Sequence, residues 1–321
     1  MIIARQRVCC LGGGVEAGFG TDMQTKQEIE RLLSSAGVSP NKRLGQHFLI
    51  DLNLIQLLVE AAHIHATDTV LEVGCGTGSL TEALAKSAGR VVAVEYDAVL
   101  ARIARSQLEE AYNVTIVQGD VLESKSRLNR EVVAALEESV AALGGKMLLA
   151  ANLPYNVGSP VMIDLIAGGA GGVVCDAMYV TVQKEVADRI VADPCGRDYG
   201  MLSVLTAATG RAQMLRKLKP TVFWPRPEVE SAMVSYQRQT EKAQAIKDMK
   251  LLQEVVSLFM GHRRKMLKAC VRFAEGRLAE IHHWGDIFER AFVEPHHRPE
   301  ELTAENYVCI SNLCHEAIGS Q

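Results

Sequence analysis

From residue 51 onward the apolar residues change period repeatedly, from the 3.6 spacing of a helix to a short continuous run and back, which limits the folds open to the chain. DLNLIQLLVEAAH is amphipathic at helical spacing, TVLEV is a short apolar strand, SLTEALAKSAG is a helix ended by glycine, and RVVAVEYD is a second strand. AVLARIARSQLEEAY, VTIVQGD, NREVVAALEESVAAL and KMLLAANLPY continue as helix, strand, helix and strand. Apolar strands alternating with helices predict an α/β protein with a parallel sheet built from βαβ units.

The pattern runs on through a helix (SPVMIDLIAG), a fifth strand (DAMYVTVQ), a helix ended by proline (KEVADRIVADP) and an apolar helix (YGMLSVLTAATG). Residues 212–239 then read as two late strands around a proline-rich loop. Polar TEKAQ marks a change of composition, and from 245 the text is helical, including the segment RRKMLKACVRFAEGRL. Three parts are expected: a disordered extension over 1–24, a sheet domain over 25–240 and a small all-helical domain over 241–321. The glycine triplet Gly12-Gly13-Gly14 in the extension is not read as a phosphate loop, since no strand precedes it and no helix pattern follows directly.

Composition narrows the function classes. No stretch approaches the ~20 apolar residues of a membrane helix, and the N-terminus lacks the apolar core of a secretory signal, so no membrane partner and a cytoplasmic location are expected. The eight cysteines follow no framework spacing and are expected to be reduced. His282-His283, His296-His297, Cys309, Cys314 and His315 match no zinc pattern, so no metal is expected. A net charge of −4 argues against indiscriminate nucleic-acid binding over the whole surface. Two local basic runs remain, around Arg263, Arg264, Lys265 and Lys268 and at Arg216-Lys217-Leu218-Lys219; on charge alone these are a solvated helix face and a loop.

Three strand ends carry candidate binding chemistry. LEV runs into Gly74-Cys75-Gly76-Thr77-Gly78, where glycines allow a tight turn and let a ligand lie against the backbone. The second strand ends in Glu95, suited to accept both hydroxyls of a ribose, and the third in Gly119-Asp120, where Asp120 can accept from an adenine amino group. Each alone has an ordinary explanation as a turn or a capping carboxylate. Together, at the carboxyl ends of neighbouring strands, they predict an adenosine-bearing ligand, either S-adenosylmethionine or NAD.

The fourth strand ends in Asn152-Leu153-Pro154-Tyr155, which separates methyl from hydride transfer. The lone pair of an adenine amino group is delocalised into the ring, so the group is a poor nucleophile until both N–H bonds are held by acceptors. The Asn152 side-chain oxygen and the Leu153 carbonyl are suitable acceptors. Pro154 fixes its own φ and restricts the residue before it, and Tyr155 can stack on the base for about 1–3 kcal/mol. Positioning and preorganised dipoles then carry the rate. An ordinary turn would account for Pro154 but not for the whole tetrad.

Over roughly residues 38–315 the chain resembles the ribosomal RNA adenine N6,N6-dimethyltransferase family (KsgA-type). The matching segments stand in family order: PNKRLGQHFLID, LEVGCGTGSLT, VVAVEYD, QGDVL, NLPYNV, VQKEVADRI, YGMLSVL, FWPRPEVESAMV, RRKML and RPEELTAENY. The resemblance implies a Rossmann-like class I S-adenosylmethionine-dependent methyltransferase sheet with a small C-terminal all-helical domain. His47 and Leu49 would lie along the cofactor, His47 standing where the family more often has Asn. Gly74 and Gly76 would form the cofactor loop, Glu95 would hold the ribose, Asp120 the adenine ring, and Asn152 the junction of cofactor and target amine. Phe223 would pack on a flipped adenine opposite Tyr155, replacing the stacking lost on extrusion. Asp51, Gln183, Glu185 and Arg189 also match family positions, with Glu185 and Arg189 spaced as a helix pair.

The implied reaction is dimethylation of two adjacent adenosines in a hairpin near the 3′ end of small-subunit rRNA, on an immature 30S particle, by a monomer. The basic residues Arg263, Arg264, Lys265 and Lys268 then become RNA contacts. The rivals are a resistance-type methyltransferase of large-subunit rRNA, a non-catalytic RNA-binding assembly factor with the same fold, and an NAD-dependent oxidoreductase.

Overall fold

A computed structural model describes residues 24–41, 45–125, 127–169 and 172–319. The glycine triplet and nearly all of the expected extension lie outside them. Gln24, the last residue assigned to that extension, is buried and bonded to Thr77. Helix α1 (Lys26–Ser35) follows, opened by a capping box in which the Thr25 amide donates to Glu28 and the Glu28 amide to the Thr25 hydroxyl. Next come β1 (Phe48–Leu49) and α2 (Leu52–Ala62), whose N-cap is Asp51.

The βαβ succession then runs β2 (Thr69–Val73), α3 (Ser79–Ala85), β3 (Arg90–Glu95), α4 (Ala98–Gln107) and β4 (Val114–Gln118). A small hairpin that apolar spacing did not reveal, β5 (Leu122–Ser124) and β6 (Arg127–Leu128), precedes α5 (Arg130–Leu143) and β7 (Met147–Asn152). After these come α6 (Gly158–Ala167), β8 (Ala177–Gln183), α7 (Lys184–Ile190) and α8 (Met201–Thr209), then β9 (Gly210–Leu218), β10 (Phe223–Trp224) and β11 (Ser231–Arg238). The chain closes with α9 (Thr240–Gln244), α10 (Met249–Gly261), α11 (Leu267–Cys270), α12 (Trp284–Arg290) and α13 (Ala304–Gly319).

The central sheet has seven strands in the order β4-β3-β2-β7-β8-β11-β9. Its first five are parallel, as the βαβ pattern requires, and β11 and β9 add an antiparallel edge. Strand periodicity distributes the core. Val70, Val91, Leu148 and Ala150 share one buried cluster with Ile55, Leu58 and Leu84 of α2 and α3. Their neighbours Leu71, Val92, Leu149 and Ala151 share another with Leu136, Leu165 and Leu205 of α5, α6 and α8. Both faces are covered, which is why these strands read as unbroken apolar runs.

The second cluster continues into Leu251, Val255 and Phe259 of α10 and Tyr307 and Ile310 of α13, so the C-terminal helices share a continuous core with the sheet. One expected helix is not there. RRKMLKACVRFAEGRL contains only the four-residue α11 and short 3-10 turns, and His262–Lys265 is a turn after α10.

Candidate active site

The carboxyl ends of β2, β3, β4 and β7 open into a cavity of about 290 Å³. Ten residues expected at the site line it together: His47, Leu49, Gly74, Gly76, Glu95, Asp120, Asn152, Leu153, Pro154 and Tyr155. The glycine loop makes the closest approaches. Gly74, Gly76 and Gly78 all have positive φ. A Cβ on Gly76 would fall 2.9 Å from the Phe48 ring, and one on Gly74 would fall 2.8 Å from Cγ of Pro154. The loop is held in place by Glu95, whose carboxylate accepts from the Gly76 amide at 2.8 Å and the Asp97 amide at 2.9 Å. Each Glu95 oxygen keeps a lone pair for a ligand hydroxyl.

A second buried carboxylate, Glu72, also lines the cavity and is only 2% exposed. One of its oxygens has no hydrogen-bond partner among the described residues, and burial, with Glu95 nearby, pushes its pKa up to about 8. A charge inside an otherwise apolar strand was the available signal for Glu72, and sequence reasoning passed over it. Burial also raises the Cys75 thiol, which removes a thiolate nucleophile from the glycine loop. Two acids and an orphaned oxygen fit a ligand that carries positive charge.

At the end of β7 the Asn152 carboxamide is fixed from both sides. Its nitrogen donates to the His47 carbonyl at 2.8 Å, and its oxygen accepts from the buried Thr181 hydroxyl. This orientation leaves one lone pair of the oxygen for another donor. The Leu153 amide donates to the Thr181 carbonyl at 3.0 Å, while its own carbonyl accepts no hydrogen bond among the described residues. Pro154 then starts a turn closed by the amides of Val157 and Gly158, which leads into α6. The Tyr155 ring lies 5.5 Å from the imidazole of His47, and its hydroxyl is 3.1 Å from Ser231 Oγ. His47 Nδ1 donates to the Pro225 carbonyl at 2.6 Å. Burial raises the Tyr155 phenol, so it stays neutral.

Phe223 is not among the lining residues. It is 3% exposed, pairs with Leu49 and belongs to the buried cluster that includes Met233, so it supports the FWPRP loop from below. The neighbouring Trp224 stacks on Phe48 and carries Lys26 over its ring. Glu185 and Arg189 pair with each other on α7. The C-terminal basic residues do not line the cavity, and Arg263 is already engaged: it pairs with Glu300 at 2.7 Å and donates to the carbonyls of Arg197 and Gly196. Lys265 sits over the Phe273 ring, Lys268 donates to His296, and Arg264 is exposed. Among the described residues no group of three or more His, Cys, Asp or Glu could hold a metal.

Comparison with known proteins adds three kinds of finding. A family model, ribosomal RNA adenine dimethylase, matches residues 37–313. A ribosomal RNA small subunit methyltransferase A from Pelotomaculum thermopropionicum is 34% identical over 91% of this chain and 97% of that protein. One from Geobacillus thermodenitrificans is 32% identical over 91% and 96%. Among solved structures, a dimethyladenosine transferase from Plasmodium falciparum has a TM-score of 0.64 at 18% identity, covering 83% of this chain and 96% of that one. The 23S rRNA methyltransferase ErmE has a TM-score of 0.57 at 21% identity, covering 83% and 98%. These two share the fold.

Proposed function

The chain belongs to the ribosomal RNA adenine dimethylase family, and from that premise we propose that it dimethylates two adjacent adenosines in a hairpin near the 3′ end of small-subunit rRNA, acting as a monomer on an immature 30S particle in the cytoplasm. It is an S-adenosylmethionine-dependent methyltransferase acting on rRNA adenine. The choice of small-subunit rRNA is supported by relatives of that name at 32–34% identity over most of the chain. Among the described residues, no helix is long and apolar enough to cross a membrane.

The observation that carries the mechanism is the clamped Asn152 carboxamide beside the Leu153 carbonyl, which accepts no hydrogen bond among the described residues. S-adenosylmethionine supplies an electrophilic methyl group on a sulfonium. Gly74 and Gly76 would let its backbone-facing side approach, Glu95 would accept from its ribose and Asp120 from its adenine, with His47 and Leu49 along its length. Asn152 Oδ1 and the Leu153 carbonyl would take the two amino hydrogens of the target base, turning its lone pair toward the methyl group. Pro154 keeps that carbonyl in place, and Tyr155 covers one face of the base. Phe223 contributes by holding the loop that faces Tyr155. A neutral phenol is no base, so Tyr155 binds the base, and the proton lost from the methylated nitrogen, cationic until then, passes to solvent. The basic residues Arg264, Lys265 and Lys268 would meet RNA phosphate, with Arg263 acting through its bond to Glu300.

Mass mapping of methylated adenines in small-subunit rRNA, with and without this protein, tests the reading. Two dimethylated neighbours are expected only in its presence. Methylation of protein-free large-subunit rRNA but not of immature 30S particles would overturn it.

Glu72 gives a second test. An acid raised to about 8 is protonated in the free protein at neutral pH. A cation bound beside it favours the carboxylate, so binding should release a proton, and affinity should rise with pH up to about 8 and level off above it. Calorimetry at pH 7 in two buffers of different ionisation enthalpy should find most of one proton released per S-adenosylmethionine bound. The release should vanish in Glu72→Gln.

A further inference from the structure

We propose that the cationic edge of the sheet, Arg216, Lys217 and Lys219, grips the phosphates of the rRNA strand next to the target adenosine. The inference rests on the rRNA reading and adds a binding surface to it. These residues stand at the end of β9, the edge strand, in register with the active site. Leu218 pairs with Ser231, Lys217 with Ala232 and Arg216 with Met233. Ser231 is the residue whose hydroxyl meets Tyr155. One strand spacing, about 4.8 Å, therefore separates this stretch from the strand that touches the base-stacking tyrosine. Immediately beyond Lys219 the chain turns into Phe223 and Trp224, which pair with Leu49 and Phe48 on the cavity wall.

All three side chains are exposed, and among the described residues none forms an ion pair. Glu228 and Glu230 precede β11 but pair with none of them. Arg263 differs, because its charge is already met by Glu300. The ladder also shifts register between Met233 and Val234, which leaves Leu215 unpaired on β9, 37% exposed. Such a bulge re-aims the side chains that follow it.

Cations on an edge strand commonly serve to block edge-to-edge aggregation. The opposite edge argues against that as the whole account. Strand β4, VTIVQ, the other edge of the same sheet, has no charged residue of its own. Among the described residues it is met by a single cation, Arg105 of α4, which donates to the Ile116 carbonyl at 3.2 Å, so a cluster of three exceeds what edge protection takes there. On β9 the cationic cluster lies at the end beside Tyr155, where a polyanion would pass to present its base, while Arg211 alone stands at the far end.

The test compares Arg216→Gln/Lys217→Gln/Lys219→Gln with Arg211→Gln, which lies at the far end of the same strand opposite Gln237. Binding to immature 30S particles is measured over a salt series, and S-adenosylmethionine binding serves as the check on folding. For three phosphate contacts the slope of log affinity against log salt should become shallower by roughly 2–3, with affinity near physiological salt lower by about 10- to 100-fold. Cofactor affinity should not move, and Arg211→Gln should leave the slope unchanged. An unchanged slope in the triple variant, or a loss per charge as large in Arg211→Gln, overturns the edge-strand proposal alone. Wild-type protein that neither binds the particles nor methylates small-subunit rRNA overturns the rRNA reading and this proposal with it.

Discussion

Asn152→Ala is expected to lower the methyl-transfer rate at saturating cofactor and RNA by about 10²- to 10³-fold, the range found when one preorganised polar group is removed from a reacting centre. RNA binding should stay largely intact, because phosphate contacts supply most of the affinity and lie elsewhere. The geometry makes the effect specific to rate. The carboxamide is locked by the His47 carbonyl and the Thr181 hydroxyl before any substrate arrives, so it needs no rearrangement to accept an amino hydrogen. Alanine removes that acceptor and leaves both the His47 carbonyl and the Thr181 hydroxyl without their partner. Single-turnover methylation with radiolabelled cofactor, alongside particle binding, measures the two quantities separately. Undiminished turnover would reject the proposed role of Asn152 as the acceptor at the target amine.

The sheet was legible because its strands are buried on both faces, and double burial writes an unbroken apolar run into the sequence. The glycine loop, Glu95 and Asp120 were legible for a related reason: each stands where an apolar run stops. Residues that act through tertiary contact leave no such mark. Thr181 reads as one polar position inside VTVQ, yet it fixes the orientation of Asn152 across a strand pair. Ser231 touches Tyr155 only because β11 lies beside β8. Gln24 was assigned to a disordered stretch, although its amide group exchanges two hydrogen bonds with Thr77 on the glycine loop. Phe223 was expected on the base but packs underneath, since its pairing with Leu49 turns it into the core. The basic run after α10 suggested a helix by composition, but Arg263 spends its donors on loop carbonyls and Glu300, which holds a turn.

Gly74→Ala is expected to weaken S-adenosylmethionine binding by about 10- to 100-fold and to slow methyl transfer as well. Two separate effects add at this residue. Its φ of +78° places an L side chain in the left-handed region, a strain of about 1–2 kcal/mol. The new Cβ would also stand 2.8 Å from Cγ and 3.1 Å from Cδ of Pro154, and overpacking of this kind disturbs structure by about 1–3 kcal/mol. If the glycine loop gives way, cofactor affinity falls; if Pro154 gives way, the Leu153 carbonyl moves and the rate falls. Gly144→Ala is the control for strain alone, since Gly144 has φ +68° at the end of α5 with nothing within 4 Å of the added carbon. It should lower stability by about 1 kcal/mol and leave kinetics unchanged. Removing the proline ring as well, in Gly74→Ala/Pro154→Ala, should recover part of the cofactor affinity while the rate stays low, because the carbonyl is no longer held by a proline that follows it. That pattern is non-additive in binding and in rate, since both changes reach the rate through the same carbonyl, and it requires Pro154 to touch both the cofactor loop and the acceptor that faces the target amine. Simple additivity in both measurements would show that the two loops work independently.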